Sequence, residues 1–171
     1  MTAAVVALGF RYPDPQHAET LRAAVAEMPV GDARTGMERF VAEVTALPLG
    51  QWEELHTRTL DLSPLFVPYV GHLAWGESYR RGAFMVDVQA AQVAAGVDLH
   101  GELPDHIEPI LRYLGACDDP LSDLVDIMPD AIAEMRKDLK KRERENPYRH
   151  LLAAAAAAVD AALAASTKAR S

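Results

Sequence analysis

Gly101-Glu102-Leu103-Pro104-Asp105-His106-Ile107-Glu108-Pro109-Ile110-Leu111 is the stretch on which the reading of this chain turns. Gly101 and Pro104 close a loop. Pro104 suits a first helical position, which needs no amide donor, and Asp105 and Glu108 put negative charge where a helix dipole is positive. The pattern predicts a helix over 104–116. The residues before it, 96–103, form the longest polar gap in the sequence and read as a hinge between an N-terminal helical body and a C-terminal set.

Outward from that stretch, helical periodicity punctuated by proline and glycine recurs from end to end. No segment alternates apolar and polar residues long enough to argue for a sheet. Helices are expected at about 2–10, 15–28, 32–47, 50–60, 64–75, 77–95, 104–116, 120–144 and 147–165. Half of the 171 residues are hydrophobic but only 6% are aromatic, and alanine is abundant, which favours closely packed helices. The expected architecture is a single all-α domain over residues 1–171. Segment 77–95 has apolar or small side chains on nearly every face and is expected to be central. Leu121, Leu124, Val125, Met128, Ile132, Met135 and Leu139 instead form one stripe with charge opposite, the mark of an outer helix, with a kink or break at Pro129.

Charge and cysteine usage narrow the function classes. The formal charge of −8 opposes nonspecific binding to nucleic acid or anionic lipid and attracts a basic peptide. The run 136–145 alternates acids with bases and lacks aromatics, so it reads as a solvated helix end. The single cysteine, Cys117, excludes an internal disulfide and makes a reducing compartment, the cytoplasm, the default. Met1 to Phe10 lacks the basic start and cleavage site of a secretory signal. The apolar run 151–165 is mostly alanine, is interrupted by Asp160 and is short for a bilayer, so a soluble helix is expected.

Catalytic hardware is sparse. The six histidines, His17, His56, His72, His100, His106 and His150, include no pair four apart with a carboxylate between, and no metal site is expected. There is no glycine-rich phosphate cradle and no nucleophile elbow. Glu102, Asp105 and His106 could serve a small helical enzyme or nucleotide-binding protein, which would show turnover with a bell-shaped pH dependence. They could equally do no more than start a helix.

Read with its neighbours, the Glu102-Leu103-Pro104-Asp105-His106 element resembles that of the NarJ branch of the TorD/DmsD-type redox-enzyme maturation chaperones. Leu60-Asp61-Leu62-Ser63, Gly76-Glu77-Ser78-Tyr79-Arg80-Arg81-Gly82 and Ala95-Gly96-Val97-Asp98-Leu99 are similar, in the same order, to the branch's Asp-Leu, Gly-Asp-Ser-x-x-Arg-Gly and Ala-Gly-Leu-x-Leu elements. The resemblance spans about residues 52–116, with weaker likeness at Tyr12-Pro13-Asp14 and Asn146-Pro147-Tyr148. It implies a helical, non-enzymatic cytoplasmic chaperone that binds the N-terminal leader and apo form of a molybdenum oxidoreductase's catalytic subunit. Such a chaperone holds no cofactor tightly itself, and assists insertion of the molybdenum bis-guanine-dinucleotide cofactor into its client before export or membrane attachment. The peptide-binding residues it implies are His56, Asp61, Tyr69, His72, Arg80, Glu102, Pro104, Asp105 and His106, with Trp75 beside them. His56 and Leu60 stand where the branch usually has Tyr and Phe, which fits a client other than respiratory nitrate reductase, such as a selenate, chlorate or hydrocarbon-oxidising enzyme. A monomer is expected, or a dimer that exchanges its C-terminal helices through 96–103.

Overall fold

Pro147 introduces a long helix, Tyr148–Ala169, whose alanines leave so little side chain standing out that neighbouring helices approach its backbone closely. In the computed structural model, which describes residues 1–169, this is the last of nine helices, and no strand occurs among the described residues. The order is α1 (Thr2–Leu8), α2 (His17–Ala26), α3 (Asp32–Val44), α4 (Leu49–Leu60), α5 (Val70–Trp75), α6 (Tyr79–Ala94), α7 (Ile107–Ala116), α8 (Ser122–Arg142) and α9 (Tyr148–Ala169). The chain is all-α.

α9 packs against α3, α8, α1 and α7, and Leu151, Leu152, Ala154, Ala155, Ala158 and Val159 are buried there. By length and composition this helix could cross a bilayer, so the expectation that it is too short does not hold. Its neighbours, not its length, make it the central helix of the bundle. The approach is close at Gly36 of α3, where a Cβ would lie 2.9 Å from both the Ala154 side chain and the His150 carbonyl. α7 is the other central element, buried from Ile107 through Leu111 and packed on α1.

α8 buries the expected stripe, Leu124, Met128, Ile132, Met135 and Leu139, and runs unbroken through Pro129. Three expectations are corrected. The predicted helix over 64–75 begins only at Val70, because Ser63 takes a left-handed conformation (φ 54) and Pro64 and Pro68 disfavour helical geometry before them. The helix predicted from Pro104 begins at Ile107. α6 is peripheral rather than central: it buries Arg81, Phe84, Val88 and Gln92 against α5 and α7 and leaves its other side in solvent.

Gly36→Ala is expected to destabilise the fold by about 1–3 kcal/mol, since a methyl there meets backbone and not a movable side-chain tip. Gly50→Ala, in α4 with nothing within 4 Å of the added carbon, is expected to stabilise by about 0.4–1 kcal/mol. Urea denaturation of the two variants would read the opposite signs.

Candidate functional site

Residues 95–106 carry the chain from α6 to α7 through left-handed turns at Gly96, His100 and Gly101. The end of this segment is clamped by two backbone hydrogen bonds: the Val70 amide donates to the Asp105 carbonyl and the Ile107 amide to the Pro68 carbonyl, both at 2.9 Å. This short antiparallel bridge pairs Tyr69 with His106. Pro104 and Asp105 form a turn closed by the His106 amide on the Leu103 carbonyl at 3.0 Å, and the bridge holds His106 extended (φ -67, ψ 140), which is why the helix starts after it. His106 becomes the N-cap, its Nδ1 accepting from the Glu108 amide at 3.2 Å. That role requires a neutral ring, and burial holds the His106 pKa below the usual histidine value.

Asp105 is 0% exposed. Its carboxylate accepts from Arg81 Nε at 2.9 Å and from Nη2 at 3.3 Å. Arg81, also buried, donates onward to Glu77 at 2.6 Å and lies over the Tyr69 ring, 5.7 Å from its centroid. Gly71 is needed here because a Cβ would fall 2.8 Å from the Asp105 Oδ2. Gln92 completes the arrangement, its side-chain amide donating to the Pro104 carbonyl at 2.9 Å.

In front of this buried group is a half-open cleft of about 430 Å³. Phe10, Arg11 and Tyr12 form one wall, His56, Leu60 and Asp61 from the end of α4 another, and Tyr69, Leu99, His100, Glu102, His106 and Glu108 the rest. His56 Nδ1 lies 2.9 Å from the Tyr148 hydroxyl and its ring meets Tyr12 edge-on. Burial pushes the His56 pKa down to about 4 and holds the Tyr148 proton on its hydroxyl, so this pair is neutral. Buried Glu108 accepts from Arg11 Nε at 2.9 Å and from Arg112 at 2.8 and 2.9 Å, which compensates its charge. Asp61 and Glu102 are left exposed at the rim and form no ion pair with another of the described residues. Burial and then the nearby carboxylates, Glu102 first, raise the Tyr69 pKa, so the field at its hydroxyl is negative.

Of the residues singled out from sequence, His56, Asp61, Tyr69, Glu102 and His106 meet at this cleft. Pro104 and Asp105 lie buried behind it. His72 and Arg80 are elsewhere: His72 Nδ1 sits 3.0 Å from Glu77, and Arg80 lies over the Trp75 ring. The sequence matches no protein-family model and no curated protein. What the site can do therefore follows from its own residues. Arg81, not Arg80, is the arginine at the site, and it is the one in register with the Gly-x-Ser-x-x-Arg-Gly pattern. Arg11 and Gly71 carry no local signal, because only the fold brings them near.

The cleft offers uncharged aromatic and imidazole walls with two unpaired carboxylates at the mouth, a combination suited to a cationic side chain with an apolar stem. Glu102, Asp105 and His106 do not converge on one point, since the Asp105 carboxylate is bound to Arg81. Among the described residues no group of histidine, cysteine or carboxylate side chains is placed to hold a metal ion.

Arg81→Met is expected to cost about 3–5 kcal/mol by leaving the Asp105 charge buried and alone, while the Arg81→Met/Asp105→Leu double variant recovers most of that loss in chemical denaturation. Stability is also expected to fall in acid. His17, His56 and His106 all have pKa values lowered by burial, so below about pH 6.5 the unfolded chain takes up protons that the folded one refuses. His56 alone accounts for roughly 3 kcal/mol lost between pH 6.5 and 4, and His56→Gln should flatten that part of a stability-against-pH curve.

Proposed function

We propose that the chain is a non-catalytic cytoplasmic chaperone for the catalytic subunit of a molybdenum oxidoreductase, and that the cleft seats part of that subunit's N-terminal leader. The observation that carries the reading is the coincidence of two independent lines. The segments that resemble the redox-enzyme maturation chaperones, around Asp61 and from Glu102 to His106, are the ones that meet at the acid-rimmed cleft.

A cleft of about 430 Å³ takes one or two side chains, not a whole helix. The leader is anchored by a basic residue, its stem against Tyr12, Tyr69 and Leu60 and its charge beside Asp61 and Glu102, while the rest of the segment lies across the surface. Ordering a flexible peptide costs free energy, so binding is reversible and near micromolar. Holding the leader keeps the apo subunit from export or membrane attachment while the molybdenum bis-guanine-dinucleotide cofactor enters the client. The chaperone's own residues need hold none of that cofactor. His56 and Leu60 in the cleft wall favour a client other than respiratory nitrate reductase.

Isothermal titration with leader peptides of molybdenum oxidoreductases tests this. Asp61→Asn and Glu102→Gln are the variants of choice, because both side chains are exposed, whereas Asp105→Ala would perturb the fold. One peptide is expected to saturate the protein, with the double variant weakening it about 10- to 100-fold at unchanged melting temperature, and wild-type affinity falling as salt is raised. Binding indifferent to both substitutions and to salt, or no binding by any leader, would refute the assignment.

A further inference from the structure

The solvent side of α6 carries an apolar stripe that none of the described residues covers. Tyr79, Ala83, Val86, Ala90 and Val93 are all exposed, the three larger ones at 101%, 66% and 70%. Their spacing alternates four and three residues, and at 100° per residue they fall within an arc of about 80°. Arg81, Phe84, Val88 and Gln92, the buried residues of the same helix, are centred diametrically opposite. The helix therefore has two apolar faces, one spent on its own fold and one not. A stripe of this length and regularity on a helix surface marks an interaction site.

We propose that this face pairs with the same face of a second copy of the chain, the two α6 helices running antiparallel about a two-fold axis between Phe84 and Met85. The residues are self-complementary in that register. Tyr79 of each copy packs on Ala90 of the other and Val86 on Ala83, so each of these four layers joins a large side chain to a small one and the backbones come close, while Val93 lies beyond the start of the partner's α6. Charge selects the orientation. Arg80 and Asp87 flank the stripe on the same side, neither forms an ion pair with another of the described residues, and in the antiparallel register Arg80 of one copy lies beside Asp87 of the other, twice by symmetry. Arg80 leaves its present place over Trp75 by a rotamer change only. A parallel pairing would set Tyr79 on Tyr79 and leave both charges unmatched.

The stripe spans about 21 Å, and one helix of this length covers well under the ~800 Å² per partner of a stable complex. The dimer is accordingly weak and concentration-dependent, with Kd in the range of about 10–100 µM. No helix is exchanged between copies. The association does not depend on the function proposed above, and it lies on a different face from the cleft.

Sedimentation velocity from about 1 to 500 µM tests it. The wild-type chain is expected to shift from monomer to dimer across that range. Val86→Asp, at an exposed position that leaves the fold and its melting temperature unchanged, should weaken association more than roughly tenfold. Arg80→Asp and Asp87→Arg should each weaken it, and the double variant should restore it, a rescue that only the antiparallel register allows. A chain that stays monomeric at every concentration overturns the proposal, as does a dimer unaffected by Val86→Asp. If the monomeric chain loses leader or client binding on Val86→Asp, the face belongs to that partner and not to a second copy.

Discussion

A carboxylate with no exposure to solvent has to be answered by a cation, and in this protein that requirement organises three elements at once. Asp105 precedes α7, its partner Arg81 is on α6, and the glycine that makes room for it, Gly71, is on α5. Removing both charges from water is costly, so the pair is a weak source of net stability. It is a strong source of specificity, because any arrangement that separates the two leaves a charge stranded. The Tyr69–His106 bridge and the His106 cap sit directly on this pair. The cleft in front inherits its geometry from them.

The site uses neutralisation to decide which charges remain available. His56 and His106 are held uncharged by burial, and Glu108 is compensated by Arg11 and Arg112. After these cancellations Asp61 and Glu102 are the acids still open to a ligand. A cleft that displayed all of its ionisable groups would attract counter-ions at random. This one presents a short negative rim above neutral walls, which favours a single orientation of a basic side chain.

The class of the fold was legible because helical periodicity is a property of single segments. The α8 stripe from Leu124 to Leu139 needed no knowledge of its partner. Position within the bundle was less so. Tyr79, Val86 and Val93 gave α6 the composition of a central helix, and an unpaired apolar face reads the same as a buried one until the neighbours are known. The start of α7 differs from the expected one for a related reason: Pro104 and Asp105 satisfy every local rule for a first helical turn, but they form a separate turn closed on Leu103, and the backbone bonds to Pro68 and Val70 hold His106 extended. At the site, residues in segments with a pattern of their own, such as Asp61 and Glu102 to His106, were legible, and Arg11, brought in from the N-terminal segment by the fold alone, was not.

The placement of α9 sets the order in which the molecule can be completed. It is the helix on which α1, α3, α7 and α8 rest, and it is the last of the nine to leave the ribosome. Until it emerges, the surfaces that will close over it have nothing to bury against, and the earlier helices can form only loose, partial assemblies. The bundle can therefore close around its centre only once α9 is available. During synthesis its own half-built bundle is exposed to aggregation.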